Sequence, residues 1–246
     1  MICRIWAGLL TMLIAVPCAA ETSLRLSPSR VEVDLFFRGA GLVATGTVRR
    51  DCQVVLKLEG ERSAAAYRRK DKRGPVWVST GSVVFDALPG FYVVAASSDS
   101  ADLERQLKTV GEGFGALRRT VTIEQSPPGD DGFVFDEFLR LKIQRGLYAV
   151  RPGSVALSDR DGAFTGFRVE FRVPPAVRPG TYRATLYCFN EHTLISETTQ
   201  SISVEKTGLV RVLSNVAFQH GGLYGIVSVL VALAAGLVVG MIFRKL

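Results

Sequence analysis

The chain has 246 residues, 48% of them hydrophobic, with a formal net charge of +7 and four cysteines. Much of the apolar content sits at the two ends, and the remaining Glu21 to Gly222 is enough chain for one large or two small domains with a real core. In a cytosolic protein the positive charge would point to nucleic acid. The ends read as export and membrane signals, and an exported chain meets anionic headgroups rather than a genome, so that class is excluded.

Arg4 is followed by an apolar run from Ile5 to Val16, a helix-breaking Pro17 and small residues to Ala20, the pattern of a cleaved secretory signal. Cys3 and Cys18 would leave with it, and Pro17 argues against Cys18 as an acylated lipoprotein cysteine. From Arg30 onward Val31, Val33, Leu35 and Phe37 alternate with Glu32, Asp34 and Phe36, which predicts a half-buried strand. After a turn at Gly39 and Gly41, short β segments are expected at Leu42 to Val48, Cys52 to Leu58, Ser63 to Arg69, Pro75 to Ser79, Ser82 to Phe85 and Phe91 to Ser97. Leu88-Pro89-Gly90 marks a turn between the last two.

At Ser100 the period changes. Ala101, Leu103, Leu107 and Val110 predict a helix capped by Ser100 and ended by Gly111. A Pro/Gly/Asp loop at Ser126 to Gly132 precedes a second amphipathic helix, Phe133 to Arg145, with a stripe of Val134, Phe138 and Leu141 suited to packing on a sheet. Strand patterning resumes at Leu147 and continues through Val155 to Leu157, Phe164 to Val173, Gly180 to Phe189 and Thr193 to Glu205. Leu223 to Phe243, at ~1.5 Å per residue, spans roughly 31 Å, close to a hydrocarbon core, and is stopped by Arg244 and Lys245.

The expected fold is therefore mainly β: a β-sandwich-like, immunoglobulin-like ectodomain with a helical insertion, plus one C-terminal transmembrane helix. Its parts are a signal peptide (1–20), an N-terminal β region (21–99), a helical segment with its loop (100–146), a C-terminal immunoglobulin-like β region (147–206), a juxtamembrane linker (207–222), the membrane helix (223–243) and a cytoplasmic tail (244–246). The positive-inside rule keeps that tail in the cytoplasm and the ectodomain in the periplasm, on the bacterial inner membrane.

Chemistry-bearing patterns are few. Arg68, Arg69, Lys70, Lys72 and Arg73, broken only by Asp71, form the sharpest surface feature. Such a run serves either as an anion or partner contact, through planar guanidinium donors, or as a charged hairpin loop that protects a sheet edge. Adjacent Trp77 lies between Val76 and Val78 in strand patterning, which assigns it to core or edge packing. Ala232, Gly236 and Gly240 give the membrane segment a small-residue face for helix packing. Cys52 and Cys188 are an even pair in an oxidising compartment and read as a disulfide or as two unrelated buried thiols. His192 and His220 lack neighbours at ligand spacing, so no metal is expected. No nucleophile elbow, phosphate loop or cofactor fingerprint is present, so neither a cofactor nor an enzyme activity is expected.

Five stretches carry a resemblance: YRRKDKRGPVWVSTGSVVF at Tyr67 to Phe85, LPGFYVVAASS at Leu88 to Ser98, FLRLKIQRGLY at Phe138 to Tyr148, VPPAVRPGTYRATLYCF at Val173 to Phe189, and the terminal LYGIVSVLVALAAGLVVGMIFRK. In order and spacing they resemble the alpha-proteobacterial transmembrane family Alph_Pro_TM over nearly all of the mature length. Cys52, Cys188 and the segment near Phe36 to Gly46 depart from that pattern. The resemblance implies a single-anchor envelope protein of unassigned biochemistry, associated with TauE/SafE-type permeases of sulfite or organosulfonate export. The expected function is thus a non-enzymatic accessory or interaction module for a membrane partner, with self-association through the helix as a further option. The alternative is an anchored module that binds a small anion.

Overall fold

The computed structural model describes residues 22–159, 162–207 and 221–243. The expected signal segment, most of the expected linker and the expected cytoplasmic tail lie outside the described residues, as does His220. The protein is mainly β. Its strands are β1 (Ser23–Ser27), β2 (Arg30–Val33), β3 (Ala40–Arg49), β4 (Gln53–Gly60), β5 (Arg62–Arg73), β6 (Val76–Pro89), β7 (Tyr92–Ala96), β8 (Thr122–Ser126), β9 (Tyr148–Arg151), β10 (Ala156–Asp159), β11 (Phe164–Val173), β12 (Gly180–Asn190) and β13 (Thr193–Lys206). The helices are α1 (Ser100–Thr109), α2 (Phe114–Thr120), α3 (Asp131–Gln144) and α4 (Gly221–Phe243).

Three sheets form: β1-β3-β11-β10, β2-β13-β12-β4-β7-β9 and β5-β6-β8. The two β regions seen in the sequence do not fold apart. β3 pairs with β11 from Ala40↔Val173 to Arg49↔Phe164, and β4 pairs with β12 from Gln53↔Phe189 to Gly60↔Tyr182. Leu42, Ala44, Phe167 and Phe171 of the first sheet then join Leu56, Leu58, Leu186 and Ile202 of the second in one hydrophobic cluster. Each such Leu, Ile or Phe side chain contributes about 1.5–3 kcal/mol on burial, so the halves stabilise each other. Gly46 permits the close approach of β1, since a Cβ there would lie 1.9 Å from the Ser23 carbonyl oxygen.

β11 shows why alternation is legible: Phe167, Val169, Phe171 and Val173 are buried while Arg168, Glu170 and Arg172 face solvent. β4 instead is buried on both faces. One face meets the common core, and the other lies under the helical segment, whose Gln106 donates to Gln53 and to the Glu191 carbonyl. That segment is also the crossover between β7 and β9, which pair in parallel and so need a long connection.

Local structure departs from expectation at several points. The helix cap of α1 is Asp99, whose side chain accepts from Asp102 N, and not Ser100, because Ser100 already has its place in the first turn. On α3 the buried positions are Phe135 and Phe138, with Val134 and Leu141 only half-buried, so the stripe is rotated toward Phe135. The alternation from Val31 ends early. β2 stops at Val33, and Leu35 and Phe36 are exposed in a turn held by Asp34 Oδ1 accepting from Phe36 N. The segments expected at Pro75 to Ser79 and Ser82 to Phe85 are one strand, β6, that runs through Leu88 and Pro89. Its partner β5 reaches Arg73, so the basic run is strand and not loop.

The C-terminal helix α4 begins at Gly221 and has 23 residues, none charged. Its side chains are described continuously only over 228–241. Taken on the described residues alone, no helix is long and apolar enough to cross a membrane, although the helical backbone rises over roughly 34 Å.

Candidate functional site

β5 and β6 pair along their whole length, but β8 joins β6 only over Ser82 to Asp86. Beyond Gly81 the hairpin continues as a two-stranded arm turning at Gly74 and Pro75, with a register shift between Arg69 and Lys70. Lys72 stands opposite Trp77, Arg73 opposite Val76 and Asp71 opposite Val78. Trp77 is 64% exposed, and Val76 and Val78 are exposed with it. The expectation of core packing for Trp77 is therefore overturned, for a physical reason: strand periodicity says that a residue has a face, and only a layer packed on that face covers it, as Phe138 of α3 does for Tyr67 and Phe85 nearer the base of the hairpin. Among the described residues no ion pair engages Arg68, Arg69, Lys70, Lys72 or Arg73.

At its base the arm borders a groove of about 590 Å³ against α3. Its floor is Tyr67, Phe85 and Phe138, and Arg68, Arg69 and Lys70 stand on its rim. The floor is pre-packed, with Tyr67 edge-on to Phe85 and to Phe138 at centroid distances of 5.9 and 5.8 Å.

A second polar constellation escaped the sequence reading. Lys57, on the helix-covered face of β4, places Nζ 2.5 Å from Glu112 Oε1 and 3.1 Å from Glu59 Oε2. Arg62 Nε donates to Glu59 Oε1 at 2.7 Å, and Tyr92 OH donates to Glu112 Oε2 at 3.2 Å. Burial alone would lower the Lys57 pKa. The Glu112 hydrogen bond and the charges of Glu59 and Glu112 outweigh it, leaving Lys57 above the ordinary lysine value. Burial also pushes the neighbouring Tyr187 up to about 12, against the opposing charge of Lys57. The signal was in the sequence: Lys57 and Glu59 alternate within an otherwise apolar strand, where an uncovered charge would be out of place.

The other sequence-picked residues lie elsewhere. Cys52 and Cys188 are disulfide-bonded with Cα atoms 5.4 Å apart, Cys188 standing opposite Val54 in the β4–β12 ladder. Ala232, Gly236 and Gly240 line one open groove of α4 with Leu233 and Leu237, and a Cβ at either glycine would meet nothing within 4 Å. His192 Nε2 lies 3.6 Å from Asp102 Oδ1. Among the described residues no group of three or more His, Cys, Asp or Glu side chains could hold a metal ion.

These features define a β-rich protein with a cationic, aromatic-tipped arm and a long uncharged C-terminal helix. The chain belongs to the family described as Putative transmembrane protein (Alph_Pro_TM), which it matches over residues 21–245. No curated protein and no solved structure matches it.

Proposed function

We propose that the protein is a single-pass envelope protein whose periplasmic ectodomain, an immunoglobulin-like sandwich, acts without catalysis as an interaction module for a membrane partner. The observation that carries this reading is the arm. A two-stranded ribbon with no third strand, carrying Lys70, Lys72, Arg73, one carboxylate and an exposed Val76-Trp77-Val78 edge, with Arg68 and Arg69 at its base, has no part in the common core. Uncovered aromatic and arginine side chains are the types that anchor interfaces. The membrane reading is supported by α4, whose described side chains Ile226, Val229, Leu230, Leu233 and Leu237 are all exposed apolar surface. Such a face is stable in a bilayer. A signal at 1–20 and the cationic tail at 244–246 orient it with the C-terminus inside.

The partner class that the family resemblance favours is a multi-span permease of the TauE/SafE type, for sulfite or organosulfonate export. Arg68, Arg69, Lys70, Lys72 and Arg73 supply its polar contact, and Ala232, Gly236 and Gly240 its helix contact. The test is mild-detergent recovery of the C-terminally tagged chain from its native membranes, with co-purifying proteins identified by mass spectrometry. Stoichiometric recovery of a multi-span protein, lost on combined Arg68→Ala, Arg69→Ala and Trp77→Ala substitution, is expected. Recovery of the chain alone, or of the same partner with the altered arm, rejects the reading.

A further inference from the structure

Lys142 occupies the last turn of α3, half-buried, with Nζ 5.3 Å from the Phe138 ring centroid and 5.5 Å from that of Tyr148. Among the described residues neither it nor Arg145 nor Arg178 has a carboxylate partner. The charges that act on Lys142 are those of Arg145 and Arg178, both of its own sign; with burial first and these two next, its ammonium is depressed to about 8. Arg145 follows α3 directly, before Gly146 (φ +68) turns the chain. Arg178 arrives on the loop before β12. Pro174 of that loop lies against Gly146, Val177 is buried, and Tyr182 OH donates to the Arg178 carbonyl at 2.6 Å. From β5, the Tyr67 phenol also senses Arg145 and Arg178, and among the described residues it has no hydrogen-bond partner.

Three cations and one free phenol thus come within electrostatic reach of one another from three elements, with Lys142 over the rings of Phe138 and Tyr148 and Phe138 edge-on to Tyr67. The dipole at the C-terminus of α3 accounts for Lys142 and Arg145 as favourable end charges. It does not account for Arg178, which another element brings to the same place, nor for a lysine desolvated beside two arginines. A half-buried ammonium flanked by two exposed guanidinium groups of its own sign is relieved by a counter-anion, and guanidinium with phenol offers the directional donors that an oxyanion takes.

We infer that Lys142, Arg145, Arg178 and the Tyr67 hydroxyl form a binding site for a phosphate- or sulfate-type oxyanion, either free or as the headgroup of an anionic lipid. The site shares Tyr67 with the groove at the base of the arm but uses none of the cations Arg68 to Arg73, so it does not rest on the arm's role.

The test uses the full chain in discs of phosphatidylcholine at pH 7. One experiment titrates inorganic phosphate calorimetrically with chloride as control; a second measures co-flotation with vesicles rich in phosphatidylglycerol. Saturable binding of at least one probe is expected. It should weaken about tenfold in Lys142→Met and in Arg178→Gln, the loss of one charge-assisted contact, with unchanged circular dichroism. Lys142→Arg should retain it, and Arg68→Ala with Arg69→Ala should leave it within about twofold. Binding of phosphate assigns a free anion, and binding of vesicles alone assigns the headgroup. The site is overturned if neither probe binds, if Lys142→Met and Arg178→Gln bind as the parent does, or if binding is lost only with Arg68 and Arg69. The last result would leave the arm reading standing.

Discussion

Lys57 Nζ and Glu112 Oε1 are 2.5 Å apart, and their side chains are only 8% and 15% exposed. The contact joins the central strand β4 to the α1–α2 junction, 55 residues further along the chain. It therefore holds the helical segment on the sheet in one position, which apolar contact alone does not specify. Lys57→Met removes the cation from the buried Glu112 and leaves Glu59 with Arg62 alone, and is expected to cost about 3–5 kcal/mol, measured by urea unfolding at pH 7. Because the Lys57 pKa is raised on folding, its contribution is fully present below the unfolded value near 10.5. It is lost as pH rises through the higher folded value. The difference between parent and Lys57→Met should accordingly persist to about pH 10 and shrink only above it.

The opposite sign holds at Lys142. Its folded pKa of about 8 lies below the unfolded 10.5, so between these values the unfolded chain binds more protons and stability from this group rises with pH. Lys142→Met should stabilise the anion-free protein at pH 7 by roughly 1 kcal/mol, discounted for the partial exposure of the ammonium. The gain should vanish by about pH 10.5. Equal stability of the two proteins across this range would show that the ammonium is not held against Arg145 and Arg178.

Cys52 and Cys188 close a span of 136 residues across the ladder that unites the N- and C-terminal β regions. Replacing both with Ser is expected to lower unfolding stability by about 2–4 kcal/mol, and reductant should do the same to the parent but nothing further to the variant. Free thiols found by alkylation of the non-reduced protein would contradict the bond.

The arm makes an opposite kind of prediction. Trp77→Ala with Arg68→Ala and Arg69→Ala should change unfolding stability by no more than about 0.5 kcal/mol, because these side chains cover no core. Iodide should quench the Trp77 fluorescence readily in the free protein. Full protection of Trp77 without a partner would mean that the arm folds back on the ectodomain.

At Gly46 a Cβ would collide with the Ser23 carbonyl. Gly46→Val should detach β1 from the first sheet, read as fast amide exchange confined to Ser23–Ser27 and Ala40–Arg49, with β12 and β13 still protected.

By itself the sequence determined the β-rich character, the place of the helical segment and the runs of β11 and β12, since Phe167, Val169 and Phe171 repeat with period two and burial follows period. It also singled out the basic run, because like charges adjacent in sequence are visible without a fold. What only tertiary structure decided was pairing and coverage. β4 lies between the common core and the helical segment while the end of β6 has no layer packed on it, so Val54 is buried and Trp77, also in a strand, is bare. The constellations of Lys57 with Glu112 and of Lys142 with Arg178 are likewise assembled across tens of residues. A local pattern records which face a side chain takes, while the distance between two charges is set by loop closure and sheet order, which no local pattern encodes.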